Sequence, residues 1–354
     1  MQLAPVCSHS VFSQRLTMQV AFPRMSALPR PARTPDQFLT FGAQMNGLGI
    51  ALALLLLPVP AAVQGVGTVT LLEGPLRVIR GASVIQGAEG MSLRQGDILE
   101  SSDKGFVQLE FNGGGIVALG PSTRVYILRH EGHGASAGGS VAASATPGAE
   151  LILLSGWLKG ESSAPAGAYR YATRILAATT SNGTVLVHET EGACDVFVES
   201  GSALVGEVGP DGGVRQATAA KAGQFFSRSP GKAVANSSRP NAAFLDEMPH
   251  PFRDTLPSRL ARFTGKPVEP KADHAVSYAE VQAYLRMVPA WRRGFVDRFE
   301  PRLKDAEFRK QLESHLAEHP EWDKILHPEK PESRLTPAAI FASVYLKFSS
   351  LEFS

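Results

Sequence analysis

Between Gly67 and about Arg228, apolar residues fall in short alternating runs that stop at glycines. Val69 and Leu71 in "GTVTLLEG", Leu76 and Val78 in "GPLRVIRG", Val107, Leu109 and Phe111 in "GFVQLEFNGG", and Val125 and Ile127 in "STRVYILRH" each place one face toward a core. A period of two over such lengths predicts half-buried strands. Further strands are expected at Leu151–Leu154, Trp157–Lys159, Thr184–His188, Asp195–Glu199, Leu204–Val208 and Gln224–Ser227, with "GPDGG" (209–213) as a hairpin connection. Many short strands at this spacing predict an all-β sandwich, barrel or stacked roll.

The period changes in the last third. Ser277 and Glu280 have capping-box spacing, and Val281, Tyr284, Leu285 and Val288 form one helical face that Pro289 ends. Trp291, Phe295 and Phe299 belong to a short helix broken by Pro301, and a further helix after Asp305 carries Phe308, Leu312 and Leu316 until Pro320. The predicted fold class is therefore mainly β followed by an α-helical C-terminal region, either a small bundle or a cap on the β part. In "RLTPAAIFASVYLKFSSLEFS" (334–354), Thr336 caps a helix of about 13 residues with Ile340, Phe341, Val344, Tyr345 and Phe348 at helical spacing. That is too short to span a membrane, so a docked terminal helix and a membrane-surface or partner-binding helix are its two readings.

Two stretches stand apart from these patterns. Residues 132–149, "GHGASAGGSVAASATPGA", lack the apolar side chains to bury and predict a flexible loop between β blocks 62–131 and 150–228. At 45–61, ten apolar residues from Leu48 to Leu57 are closed by Pro58 and Pro60, which suits the core of a signal peptide better than a span. Small side chains around Val59-Pro60-Ala61 predict cleavage between Ala61 and Ala62, with no stable span in the mature chain. Residues 1–44, carrying five prolines, read as an unstructured leader, or as sequence upstream of a true start such as Met25. A retained segment would instead anchor the chain in an inner membrane.

Charge narrows the function classes. The net +2 comes from the leader: residues 1–65 are +3, 66–240 are −1 and 241–354 are neutral. Nucleic-acid binding wants a concentrated basic face, and the chain past its leader has none. The charged fraction rises from 29 of 175 residues to 34 of 114 across residues 229–243, marking those as a linker and 244–354 as a helical domain. Of the two cysteines, Cys7 lies in the leader and Cys194 in a strand, where a small buried residue is the ordinary reading.

Catalytic chemistry finds little support. There is no Gly-x-Ser-x-Gly elbow, and the Gly-rich "GVGTVT" and "FNGGGIVALG" lack Gly-Lys-Ser/Thr. His315 and His319 share a predicted helical face but have no third ligand in sight, and His130 and His133, at the edge of the loop, read as solvent-exposed rather than as an open metal site, so no metal or cofactor is assigned. Asp97 and Asp103 suit turns, Glu100 and Glu110 exposed strand faces. Trp157, Tyr169 and Tyr171, if exposed, would offer rigid contact area to a glycan or protein. The expectation is a non-enzymatic binding protein.

The run "GTVTLLEGPLRVIRG…GMSLRQGDILESSDKGFVQLEFNGGGIVALGPSTRVYI" resembles the FecR domain of bacterial envelope proteins. Gly96-Asp97, the small-residue turn Gly113, Gly114 and Gly115, and the step Gly120-Pro121-Ser122 occupy that family's turn positions. "LLSGWLKGE…AAKAGQFF" is similar to its second half, so about residues 67–228 are covered. The resemblance implies a stacked β roll, residence in the periplasm or outside the cell, and an envelope protein or glycan as partner. Family regulators also carry a helical cytoplasmic arm that meets a sigma factor, and residues 1–44 lack its pattern. Membrane-anchored signalling is thus the alternative, and hydrolysis of an envelope polymer, which needs a cleft with paired carboxylates, is a third.

Overall fold

A computed structural model of the chain describes residues 65–130, 148–163, 167–190, 192–266 and 268–328. The leader, the 45–61 segment with its Ala61–Ala62 cleavage, Cys7, His133, nearly all of loop 132–149 and the helix expected in 334–354 lie outside the described residues. Strands come first: β1 (Gly67–Glu73), β2 (Leu76–Arg80), β3 (Ser83–Gln86), β4 (Ser92–Leu93), β5 (Ile98–Ser101), β6 (Phe106–Phe111), β7 (Ile116–Leu119) and β8 (Arg124–His130). The second block holds β9 (Ala149–Ser162), β10 (Tyr169–Ala172), β11 (Leu176–Glu189), β12 (Cys194–Val208), β13 (Val214–Lys221), β14 (Phe225–Arg228) and β15 (Ala235–Ser237). After helix α1 (Ala242–Glu247), a last strand β16 (Ala272–Ala275) precedes α2 (Tyr278–Leu285), α3 (Pro289–Arg292), α4 (Phe295–Phe299), α5 (Ala306–Ser314) and α6 (Asp323–Leu326). The fold is mainly β with C-terminal helices, as the period change predicts.

Three long strands join two layers into one roll. The first half of β9 lies between β8 and β10, and its second half lies between β7 and β11. Its inward residues are Leu151 and Leu153 before the bend but Leu158 after it, a change of parity at Gly156, whose φ is +90°. β11 changes from Leu176 and Ala178 to Val185 and Val187, and β12 from Val196 and Val198 to Ala203 and Val205. Those two slips coincide at the facing pair Gly183 and Gly201, with φ of +145° and +67°. A side chain at either would meet a carbonyl oxygen of the other strand, within 2.3 Å of Ser200 O or 2.1 Å of Asn182 O.

The alternation that fills this inner core leaves two outer faces, and the C-terminal third covers both. On one, Ile79, Ile98, Tyr126 and Ile152 meet Tyr284, Trp291, Phe295 and Phe299, so the helices form a cap rather than a free-standing bundle. On the other, Phe106, Trp157, Leu186 and Phe225 are roofed by Phe244, Met248, Phe252 and Leu256. Each large side chain buried there contributes about 1.5–3 kcal/mol. The stretch 229–243 carries β15, paired with β14, and the N-cap Asn241, whose side chain accepts from Phe244 N. The chain then returns along the β layer as a strap before the cap begins.

Polar anchors fix both covers. Glu280 on α2 accepts the N–H and hydroxyl of Ser277, both at 2.8 Å, while its other oxygen meets Arg77 of β2 at 3.0 Å and His274 of β16 at 2.9 Å. Burial opposes its charge, but these donors prevail and hold its carboxyl down at about 2. Glu110 corrects the sequence reading: it is 3% exposed and not on an open face. Its oxygens accept from Ser258 Oγ at 2.5 Å and from the N–H of Arg259 at 2.6 Å. The outer side of β6 is under the strap, a long-range contact that local alternation does not encode.

Candidate functional site

The expected turn residues do several jobs. Gly96, Gly113 and Gly114 adopt φ of +89°, +127° and +99°. Asp97 is more than a turn residue, being 1% exposed, with Arg80 bound across both its oxygens at 2.9 and 2.6 Å and the Arg94 N–H at 2.8 Å. Gly115 makes room: a Cβ there would lie 2.2 Å from Cζ of Tyr169. Gly120, Pro121 and Ser122 form the connection from β7 to β8, and Ser122 takes the left-handed φ of 50°. That conformation costs a non-glycine residue about 1 kcal/mol or more and marks sites of function or constraint.

The Ser122 turn is held on both sides. Its N–H donates to Ser102 O at 2.8 Å, and Ser101 Oγ donates to Gly120 O at 2.6 Å. Thr123 Oγ1 accepts the Trp157 N–H at 2.9 Å. Beside it opens a groove of about 720 Å³, lined by Glu100, Ser101, Pro121, Ser122, Arg124, Ser155, Gly156, Trp157, His188, Glu189, Thr190, Glu247 and Pro249. Strand register builds its floor, since Trp157 of β9 faces His188 of β11, which faces Asp195 of β12, which faces Ser227 of β14. The His188 ring stacks on Trp157 at 3.9 Å between centroids.

The floor is poor in compensating charge. Burial pushes the His188 imidazole below its usual range, against the pull of Asp195 and Glu247. Burial also pushes Asp195 up, with a Ser227 hydrogen bond working the other way. Behind the floor, Glu189 points to the inner side of β11, where burial raises its carboxyl to about 7 against the opposing Arg174. Its side chain is 0% exposed, so it presents no acid to the groove. Glu100 is engaged as well, by Arg77 at 2.7 Å and by Tyr284 Oη, which donates to it at 2.5 Å.

Other expected residues lie elsewhere. Trp157, Tyr169 and Tyr171 are 6%, 1% and 0% exposed and offer no open aromatic platform. The two tyrosines face inward from β10 into space left by Gly115 and Gly160. Cys194 is buried, and burial raises its thiol well above the usual range. The helix expected to carry both His315 and His319 ends at Ser314, so the two do not share a helical face. His315 stacks on Tyr278, and His319, 0% exposed, bonds Tyr278 Oη at 2.9 Å. Among the described residues no three His, Cys, Asp or Glu side chains gather as a metal site, and no helix is long and apolar enough to cross a membrane. Asp103 is exposed in its turn. Sequence reasoning missed His188, Asp195 and Glu247: the first two gave only the signal of polar residues on alternate strand positions, and Glu247, at the end of α1, gave none.

No family model matches the chain, and no curated protein matches it in sequence. Two solved structures from Parabacteroides distasonis, each described as a candidate anti-sigma factor, are similar to it in part. One has 10% identity and a TM-score of 0.30 over 40% of this chain and 59% of its own. The other has 11% identity and a TM-score of 0.32 over 42% of this chain and 64% of its own. The chain spans less than two thirds of the length of either structure.

Proposed function

We propose that this chain is an exported, non-catalytic FecR-type protein of the bacterial envelope that receives a partner in the groove beside Ser122. The left-handed Ser122, held from Ser101 and Ser102 at the groove's wall, carries the reading, because strain retained at an open concave site favours a recognition surface. The resemblance of Gly120-Pro121-Ser122 to a FecR turn supports it. Hydroxyls of Ser122, Ser155 and Thr190 suit an envelope protein or glycan. The hydrolase reading loses ground because, of the three carboxylate residues along the groove, the Glu189 side chain is sealed and Glu100 is bonded by Arg77 and Tyr284, which leaves Glu247 without a free partner carboxylate.

The test places a photoreactive side chain at Ser122 or Ser155 in cells of a Gram-negative host, with Lys232 as the distant control. The expected result is one adduct at both groove positions, lost on Glu247→Lys and absent from the control, on a periplasmic chain beginning near Ala62. Equal adducts at all three positions would defeat the groove assignment. A membrane-bound chain retaining residues before Met45 would favour the anchored signal regulator acting on a sigma factor.

A further inference from the structure

A second groove, of about 610 Å³, lies where α2 turns into α3 and faces the β12–β13 connection. Met287, Val288, Pro289 and Pro210 give it apolar walls, and Arg174 and Arg286 stand on its rim. Its volume falls within the roughly 300–1,000 Å³ of ordinary ligand sites. Arg292, also in the lining, is 8% exposed, and its Nε has no acceptor. Buried donors without partners are rare enough to ask what satisfies them.

We propose that the groove is the dock for this chain's own residues 336–348, with the stripe Ile340, Phe341, Val344, Tyr345 and Phe348 against Val288, Pro289 and Pro210. The starting point is close, because Arg292 also pairs with Glu321 at 3.2 Å, seven residues before the described chain ends at Pro328. The eight residues from there to Thr336 reach up to about 28 Å. A 13-residue amphipathic helix is marginal in water unless a surface covers its apolar side. A carbonyl brought in by the docked segment would supply the acceptor that Arg292 Nε lacks.

Amide exchange and trypsin cleavage after Lys347 test this in the full chain. Docking predicts exchange in 340–348 at least about tenfold slower than in the free peptide, with Phe341→Glu and Val288→Glu each raising cleavage roughly tenfold. Exchange as fast as the free peptide's overturns the proposal. So does a tail that Phe341→Glu releases and Val288→Glu does not, or one protected only when anionic vesicles are added. Should Val288→Glu unfold the cap, Pro210→Cys with Phe341→Cys in a Cys7→Ser background decides: a disulfide between them supports the dock, and its absence overturns it.

Discussion

The guanidinium of Arg298, on α4, donates to the carbonyl of Gly96 at 2.6 Å. Its other nitrogens reach Gly81 O and Ile79 O, both at 2.7 Å. One side chain thus ties the helical cap to two turns of the β layer, and its head lies 5.5 and 5.0 Å from the Phe295 and Phe299 ring centroids. Gly81 and Gly96 lie in turns, where a carbonyl has no ladder partner, so the contact satisfies acceptors that the cap would otherwise cover.

Removing that head should loosen the cap. Arg298→Ala is expected to lower unfolding stability by about 3 kcal/mol, since bonds from a charged donor are lost and their acceptors stay covered. Arg298→Lys keeps the charge but not the fork, and should recover less than half of the loss. Urea unfolding measures both. Equal stability of Arg298→Lys and the wild type would mean that the charge alone holds the cap.

Two turn glycines should respond differently to alanine. At Gly96 nothing lies within 4 Å of an added Cβ, so only the φ of +89° opposes it, at about 1 kcal/mol. At Gly115 the Cβ would sit 2.2 Å from the Tyr169 ring, which is itself 1% exposed and packed edge-on against Phe111. Gly115→Ala should cost about 3 kcal/mol or prevent folding, and Tyr169→Leu in the same chain should recover part of it. Thermal melting distinguishes the two positions.

Glu189 should make stability fall with rising pH over its own window. Burial lifts its folded carboxyl to about 7 from an ordinary 4.5. The protonated form is the one folding favours, so this stabilisation is complete below about pH 4.5 and is lost as pH rises through 7. The shift corresponds to about 3 kcal/mol. Glu189→Gln should therefore be more stable than the wild type at pH 8 by up to about that amount, and equal to it near pH 4. A constant difference across the range would show that the residue does not titrate there.

The sequence pattern shows much of this architecture and little of the site. Ser277 and Glu280 announce α2 because a capping box is local, and single-face alternation announces β1, β2 and β6 for the same reason. Leu151–Leu154 and Trp157–Lys159 read as two strands although they are halves of β9, because the parity slip at Gly156 looks like a break. The groove depends on which strands become neighbours. His188 meets Trp157 through a pairing across 31 positions, and Glu247 arrives from the strap. No period within one segment records either. Glu110 misleads for the same reason: a charged residue on an outer strand face looks solvated until a later segment covers it.

Lys159 supplies the strap's counterpart to Arg298. It is 1% exposed, and its Nζ donates to Phe252 O at 2.8 Å and Asp254 O at 2.9 Å while pairing with Glu199 at 2.7 Å. Lys159→Met keeps the volume but strands two carbonyls under the strap, an expected loss of about 2–3 kcal/mol. Glu199 is 35% exposed and can turn to water, so its share of that loss is small. Amide exchange should quicken in 250–257 and stay unchanged in α2 and α5, because the strap and the cap cover different faces of the roll. Pro249 and Glu247 line the Ser122 groove from this strap, so the same variant should weaken any adduct formed at Ser122. A strap that stays protected in Lys159→Met would mean that Phe252 and Leu256 hold it by burial alone, and the groove wall would then be set by packing rather than by the buried ammonium.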